Sequence, residues 1–150
     1  MPQFPSAACL ALIERFEGCK LRIYPDTGGL PTIGWGHRIV PGENFSGGID
    51  QTRADSLLAG DAATAAHQVS ELIKVPLTQG QFDALVDFVF NLGQGRLASS
   101  TLLKDLNAGQ SDAAALQLLQ WDHAGAKECA ALKTRRAAEY QLWTGQSPAK

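Results

Sequence analysis

Three scarcities bound this chain before any motif is read. Cysteine is rare and odd in number: Cys9, Cys19 and Cys129 are the only three in 150 residues, and none stands in C-x-x-C spacing. That excludes a disulfide framework and a cysteine zinc site, and it fits a chain made in a reducing compartment. No run of about 18 apolar residues occurs, and the opening M-P-Q-F-P-S-A-A-C-L-A-L-I-E lacks a basic n-region, so neither a signal peptide nor stable membrane insertion is expected. Excess charge of one sign is also missing. Thirteen Lys and Arg stand against fifteen Asp and Glu for a net −2, so no global field draws the chain to nucleic acid. Basic residues do cluster late, at Lys127, Lys133, Arg135 and Arg136. His37, His67 and His123 are too scattered to hold a metal, and neither a G-x-S-x-G motif nor a phosphate loop is present; no metal and no cofactor is expected.

What is present reads as helix with a small β insert. Ser6 is the expected N-cap of a helix from Ala7 to Phe16, with Cys9, Leu12, Ile13 and Phe16 on one face and Gly18 as its stop. Glu17 then falls in the last turn. Leu21 to Tyr24 and Leu30 to Trp35 read as paired strands around the turn Pro25-Asp26-Thr27-Gly28-Gly29, a surface layer poor in apolar residues. From the cap Asp50, apolar residues recur at three- and four-residue spacing to about residue 74, with Gly60 as a weak point and Pro76 as the end. Thr78-Gln79-Gly80-Gln81 is a capping box opening a helix that is apolar on most sides, broken at Gly93 and Gly95. Helices near Ser100 to Ala108 and Ser111 to Trp121, each serine-capped, precede a last helix from Leu132 to Trp143, and 146–150 should be a frayed tail.

The chemistry concentrates between Glu17 and His37, E-G-C-K-L-R-I-Y-P-D-T-G-G-L-P-T-I-G-W-G-H. A hairpin brings Glu17 towards Asp26. A helix C-terminus and a neighbouring Phe16 disfavour ionised Glu17, whereas a turn rich in backbone N–H groups favours ionised Asp26. Two carboxyls with opposite demands suit acid/base cleavage of a glycosidic bond, and Thr32 on the return strand is placed to hold a water. Spacing alone leaves Glu14, one turn earlier, as a rival acid. Taken singly, such carboxylates are mostly solvated helix ends and turn formers.

The stretch resembles the active-site signature of the tailed-phage lysozymes (endolysins, glycoside hydrolase family 24). Their helix-ending Glu, eight residues, Asp, five residues, Thr and then I-G-x-G-H are matched by Glu17, Asp26, Thr32 and Ile33-Gly34-Trp35-Gly36-His37. The likeness continues through Leu57 to Asp61, Phe82 to Gly93, Ser100 to Leu103, Trp121 and Leu132 to Arg136. It implies a single mainly-α, α+β domain: a small N-terminal hairpin lobe to about residue 60, an inter-lobe helix over about 51–74, and a helical lobe over about 75–145. It further implies a monomeric muramidase, hydrolysing the β-1,4 bond between N-acetylmuramic acid and N-acetylglucosamine of peptidoglycan with inversion. Glu17 would be the general acid, with Asp26 and Thr32 holding the water. Arg38, Phe90, Asn91 and Thr101 match substrate-lining positions, and His37 would pair with Asp61 as structural support. At least one of Arg135 and Arg136 is expected at the solvated surface. The protein would wait in the host cytoplasm until a separate holin-like protein opens the membrane. A non-catalytic peptidoglycan-binding or tail-structural module on the same fold is the rival reading.

Overall fold

The periodicity after Ser6 forms helix α1 (Ala7–Glu17), which buries Cys9, Leu12 and Ile13. The structure, a computed structural model, describes residues 3–145, and the tail expected over 146–150 lies outside them. Ser6 does not cap α1 with its side chain. Its backbone N–H and its hydroxyl both donate to Asp83, far along the chain. Asp83 is buried at 2% exposure and needs donors, and this tertiary demand outweighs the local cap.

Strands β1 (Lys20–Pro25), β2 (Pro31–Gly34) and β3 (His37–Arg38) make an antiparallel sheet in that order. Tyr24 lies opposite Thr32, and Thr32 opposite Arg38, so the three side chains share one face. The outward strand β1 is mostly exposed, while Thr32 and Ile33 of β2 are buried.

Helix α2 (Gln51–Leu72) is continuous through Gly60 and is capped by the Asp50 side chain, which accepts from Arg53 N–H at 2.8 Å. Its buried stripe of Ala54, Leu58, Ala62, Ala65, Ala66 and Val69 packs on β2 near its start and on the helical body beyond, joining the two regions. It stops at Leu72, short of Pro76. There the Asn107 amide takes over the helix end, donating to Leu72 O at 3.0 Å and accepting from Lys74 N–H at 2.8 Å.

The expected capping box opens helix α3 (Gln79–Leu92), in which every residue from Phe82 to Val89 is buried. Such a helix must be an axis, and α1, α2 and the last helix all pack around it. α1 thus shares the helical core, although it precedes the sheet in sequence. Gly93 ends α3, but Gly95 lies inside a short helix α4 (Gln94–Ala98) rather than breaking one. Ser100 caps α5 (Thr101–Asn107) as expected; Ser111 is the first residue of α6 (Ser111–Leu118), whose cap is Gln110 with no side-chain bond. Helix α6 ends at Leu118 rather than at Trp121, and beyond Trp121 the chain forms a hairpin, β4 (His123–Ala124) with β5 (Lys127–Glu128), too short to show strand alternation. Helix α7 (Ala130–Thr144) starts before Leu132 and packs along α3. All three cysteines are free.

Candidate active site

Glu17 stands where α1 gives out, and its carboxylate rests against the backbone of Gly36. A β-carbon added at Gly36, which has φ +81°, would lie 2.6 Å from Glu17 Oε1. The turn carrying Gly36 is pinned to α2 on both sides. Trp35 Nε1 donates to Asp55 at 2.8 Å, and His37 Nδ1 lies 2.7 Å from Asp61. Glu17 Oε2 accepts from Arg135 Nη1 of α7 at 2.8 Å, and Arg135 is itself held by Asp87 of α3 through Nε at 2.9 Å and Nη2 at 2.8 Å. A planar guanidinium serves both carboxylates because its donors form a rigid fork. The apolar surroundings expected for Glu17 are therefore half right: Phe16 is near, with the Arg135 guanidinium 5.5 Å from its ring centroid, but the carboxylate faces a buried cation.

The basic cluster read from the sequence splits, with Lys127 and Lys133 exposed and its two arginines buried. Arg135 and Arg136 are 4% and 0% exposed, which corrects the expectation that one of them is solvated. α7 lies along the buried axis, so side chains on that face enter the core and must meet anions there: Arg135 meets Asp87 and Glu17, and Arg136 meets Glu139.

Asp26 is bound differently. Its Oδ1 accepts backbone N–H groups from Gly28 at 2.8 Å and Leu30 at 2.9 Å, and its Oδ2 accepts Arg38 Nη2 at 2.9 Å. The Leu30 N–H, followed by the Arg38 and Gly28 contacts, holds the Asp26 carboxyl below its ordinary range, which is the ionised behaviour expected of it. Three of about four acceptor positions are thus filled, leaving one on Oδ2. Thr32 is buried, and its hydroxyl donates to Leu30 O at 2.9 Å, so its oxygen is left as an acceptor. Both carboxylates bear on Tyr24, whose hydroxyl is pushed up by burial and then by Glu17 and Asp26. Glu14 appears in none of these contacts; its backbone carbonyl caps the end of α1 instead.

His37 does pair with Asp61, mid-way along α2, and it has a second partner. Its Nε2 lies 3.0 Å from Glu43 Oε1, which also accepts Val40 N–H. Partial burial pulls His37 down, but the hydrogen bonds to Asp61 and Glu43 outweigh it and raise the imidazole above its ordinary value. Burial pushes Asp61 up despite that pairing, whereas the Val40 N–H first, and then His37, hold Glu43 down.

The four substrate-lining candidates fare unequally. Arg38 is spent on Asp26 while staying 62% exposed, Phe90 packs on the core, Asn91 Oδ1 accepts from Arg136 at 2.7 Å, and Thr101 is exposed at the first turn of α5. Tyr24, Glu43, Asp55 and Asp87 were not singled out from the sequence. For Asp87 a signal existed, a carboxylate in the middle of the otherwise apolar run Phe82 to Leu92. The two best-formed surface grooves, of about 230 and 430 Å³, lie elsewhere, beside Ile73 and Pro76 and beside Tyr140 and Trp143. The Glu17 and Asp26 side chains are themselves partly buried, at 22% and 24% exposure. No His, Cys, Asp and Glu cluster among the described residues is suited to a metal.

The sequence and the fold are similar to those of known proteins. The phage lysozyme family model matches residues 14–139. An endolysin of Acyrthosiphon pisum secondary endosymbiont phage 1 is 41% identical over 106 residues, 71% of this chain and 71% of that protein. A SAR-endolysin of bacteriophage PS119 is 36% identical over 138 residues, 89% of this chain and 80% of its own. A crystal structure of a P22 lysozyme variant superposes with a TM-score of 0.81 at 36% identity, covering 94% of this chain and 98% of that one. With the family model spanning most of its length, and the Glu17–Thr32 hairpin and the α3 axis both inside the match, the chain belongs to the phage lysozyme family.

Proposed function

We propose that the protein is an endolysin with muramidase activity on bacterial peptidoglycan, with Glu17 as the general acid and Asp26 and Thr32 as holders of the attacking water. The observation that carries this reading is the unequal binding of the two carboxyls, both of which bear on Tyr24. Asp26 is fixed as an anion by two N–H groups and Arg38, with one acceptor position spare. Glu17 has one cationic partner, and that partner keeps two bonds to Asp87 whatever the charge of Glu17. Glu17 can therefore gain and lose a proton without stranding a buried Arg135.

In this mechanism protonated Glu17 delivers its proton to the glycosidic oxygen as the bond to the N-acetylmuramic acid carbon lengthens. A water lies between Asp26 Oδ2 and Thr32 Oγ1. Since the Thr32 proton is engaged by Leu30 O, both groups accept, one from each water hydrogen, and the water lone pair is turned to the sugar carbon. Asp26 takes the proton as the new bond forms, and the product is inverted.

Turbidity clearing of outer-membrane-permeabilised Gram-negative cells, wild type beside Glu17→Gln, tests the assignment: clearing by the wild type alone is expected, and equal clearing by both removes Glu17 from the role. Wall binding without clearing would identify a non-catalytic peptidoglycan-binding or tail-structural module. Product anomers decide the stereochemistry, an α-anomeric first product being expected. For release, we place the protein in the host cytoplasm until a holin-like partner opens the membrane. Lysis of cells expressing this chain alone would refute that route.

A further inference from the structure

Behind the Arg135 contact lies a set of buried charges that the proposed reaction does not itself use. On α7, Arg136 and Glu139 are both 0% exposed, and Arg136 Nη2 donates to Glu139 Oε2 at 2.9 Å. Arg136 lies over the Phe88 ring and also reaches Asn91. Glu139 Oε1 has no donor, and neither Arg136 Nε nor Nη1 has an acceptor. An unpartnered carboxylate oxygen in the core is costly, and more so than a neutral group.

The neighbour of Glu139 is another carboxyl, Asp87, itself 0% exposed. Two buried carboxyls in contact are satisfied only when one carries a proton, which turns the orphan oxygen into a donor. Asp87 faces two N–H groups of Arg135, so it is the better anion, and the proton belongs on Glu139. Charge balance agrees: two guanidinium groups face three carboxyls, Glu17, Asp87 and Glu139, and one proton makes the set neutral. Burial, and then Asp87, push the Glu139 carboxyl well above its ordinary range. Asp87, which burial alone would raise, is held below its range by Glu139 and Arg135. The other groups facing this cluster reinforce the assignment. Asp83 from α3 and Cys9 from α1, whose thiol burial and these carboxylates push up, add no cation, and the buried residues of α6, which packs on α7, are the apolar Ala114, Ala115 and Leu118.

We propose that Glu139 is a positioning residue: held protonated, it donates through Oε1 to Asp87 and locks the carboxylate that carries Arg135, so that Arg135 meets Glu17 in one geometry. This rests on the reading of Glu17 as the acid. Asp87 gains a fixed third donor, and the Arg135 fork is presented to Glu17 without rocking about its bonds.

Two measurements test it. In the first, side-chain carboxyl carbons of 13C-labelled wild-type protein are followed by NMR from about pH 5 to about pH 8, across the ordinary carboxylate and imidazole ranges. The Glu139 signal is identified by its loss in Glu139→Gln. A protonated Glu139 throughout is expected, and an ionised Glu139 at neutral pH overturns the proposal. In the second, kcat and KM are measured on soluble, un-cross-linked peptidoglycan chains. Glu139→Met fills the space with neither donor nor acceptor and should lower kcat roughly tenfold at nearly constant KM, as expected for a small loss of alignment. Glu139→Gln supplies an N–H for Asp87 and a carbonyl for Arg136 and should recover most of that loss. Gln as impaired as Met, or Met at wild-type kcat, overturns the proposal. The NMR measurement needs neither turnover nor a folded Met variant, so a wild type that fails to cut peptidoglycan would remove the Glu17 assignment while the proton on Glu139 is still read.

Discussion

Replacing Gly36 by alanine separates backbone strain from damage to the acid. Gly36 has φ +81°, and the added Cβ would lie 2.6 Å from Glu17 Oε1, 2.9 Å from Cδ and 3.2 Å from Cγ. Ordinary contact begins at 3.4 Å, so the carboxylate must retreat by nearly 1 Å. It cannot do so freely, because Oε2 is bonded to Arg135 at 2.8 Å and Arg135 is fixed by two bonds to Asp87. A misplacement of about 1 Å is worth about a hundredfold in rate, or roughly 2.7 kcal/mol on the barrier. The left-handed backbone adds about 1–2 kcal/mol of instability that has nothing to do with the site. Gly109, between α5 and α6, is the control, with φ +82° and nothing within 4 Å of an added Cβ. Gly109→Ala should lower Tm by roughly 3–6 °C and keep wild-type clearing. Gly36→Ala should lose at least as much stability and about two orders of magnitude in clearing rate, measured by turbidity well below both melting temperatures. Equal clearing by the two variants refutes the claim that the Gly36 backbone seats the catalytic carboxylate.

The remaining expectations follow from packing and charge. Gly80→Ala places a Cβ 2.1 Å from the backbone oxygen of Leu142, where α3 and α7 touch, whereas Gly60→Ala in α2 meets nothing within 4 Å. Thermal denaturation should show the first destabilised by roughly 3 kcal/mol and the second stabilised by up to about 1 kcal/mol. Because His37 is raised in the folded state, its ion pairs stabilise fully below the unfolded value near 6.5 and fade as pH rises through the folded value. The deficit of His37→Asn in urea denaturation should therefore be about 1–2 kcal/mol at pH 6 and shrink in alkaline solution; a deficit independent of pH sinks the ion-pair account. Asp61, raised by burial, favours the folded state in its protonated form and loses that contribution as pH rises through its own titration, so the series is read from pH 6 upward, away from it. Arg38→Met removes one of the groups that keep Asp26 ionised, so the acidic limb of kcat/KM should move to higher pH, most visibly at low salt. An unmoved limb would detach Arg38 from the base.

Elements whose causes are local were legible in the chain. The Thr78-Gln81 box, the Asp50 cap and the strand-turn-strand run around Asp26 each act within a few residues, and each forms where expected. Elements decided by distant partners were misread. Ser6 stands at the N-cap of α1 but gives its hydroxyl to Asp83, α2 ends at Leu72 on Asn107 and short of Pro76, and Arg136, taken as a candidate for the surface, is fully buried. For Ser6 the demand came from buried Asp83, and for α2 from the Asn107 side chain of another helix, and linear pattern carries no record of either.

The candidate site divides in the same way. Asp26 could be read as an anion from the sequence because its donors are the N–H groups of its own turn, reached within four residues. Glu17 could be located at a helix end, but not its electrostatic setting, since Arg135 is 118 residues away and Asp87 comes from a third helix. The sequence alone determined which carboxyls face the hairpin and the family they mark. Only the tertiary structure decided that one of them shares a buried guanidinium, because burial forces distant charges to neutralise one another where water cannot.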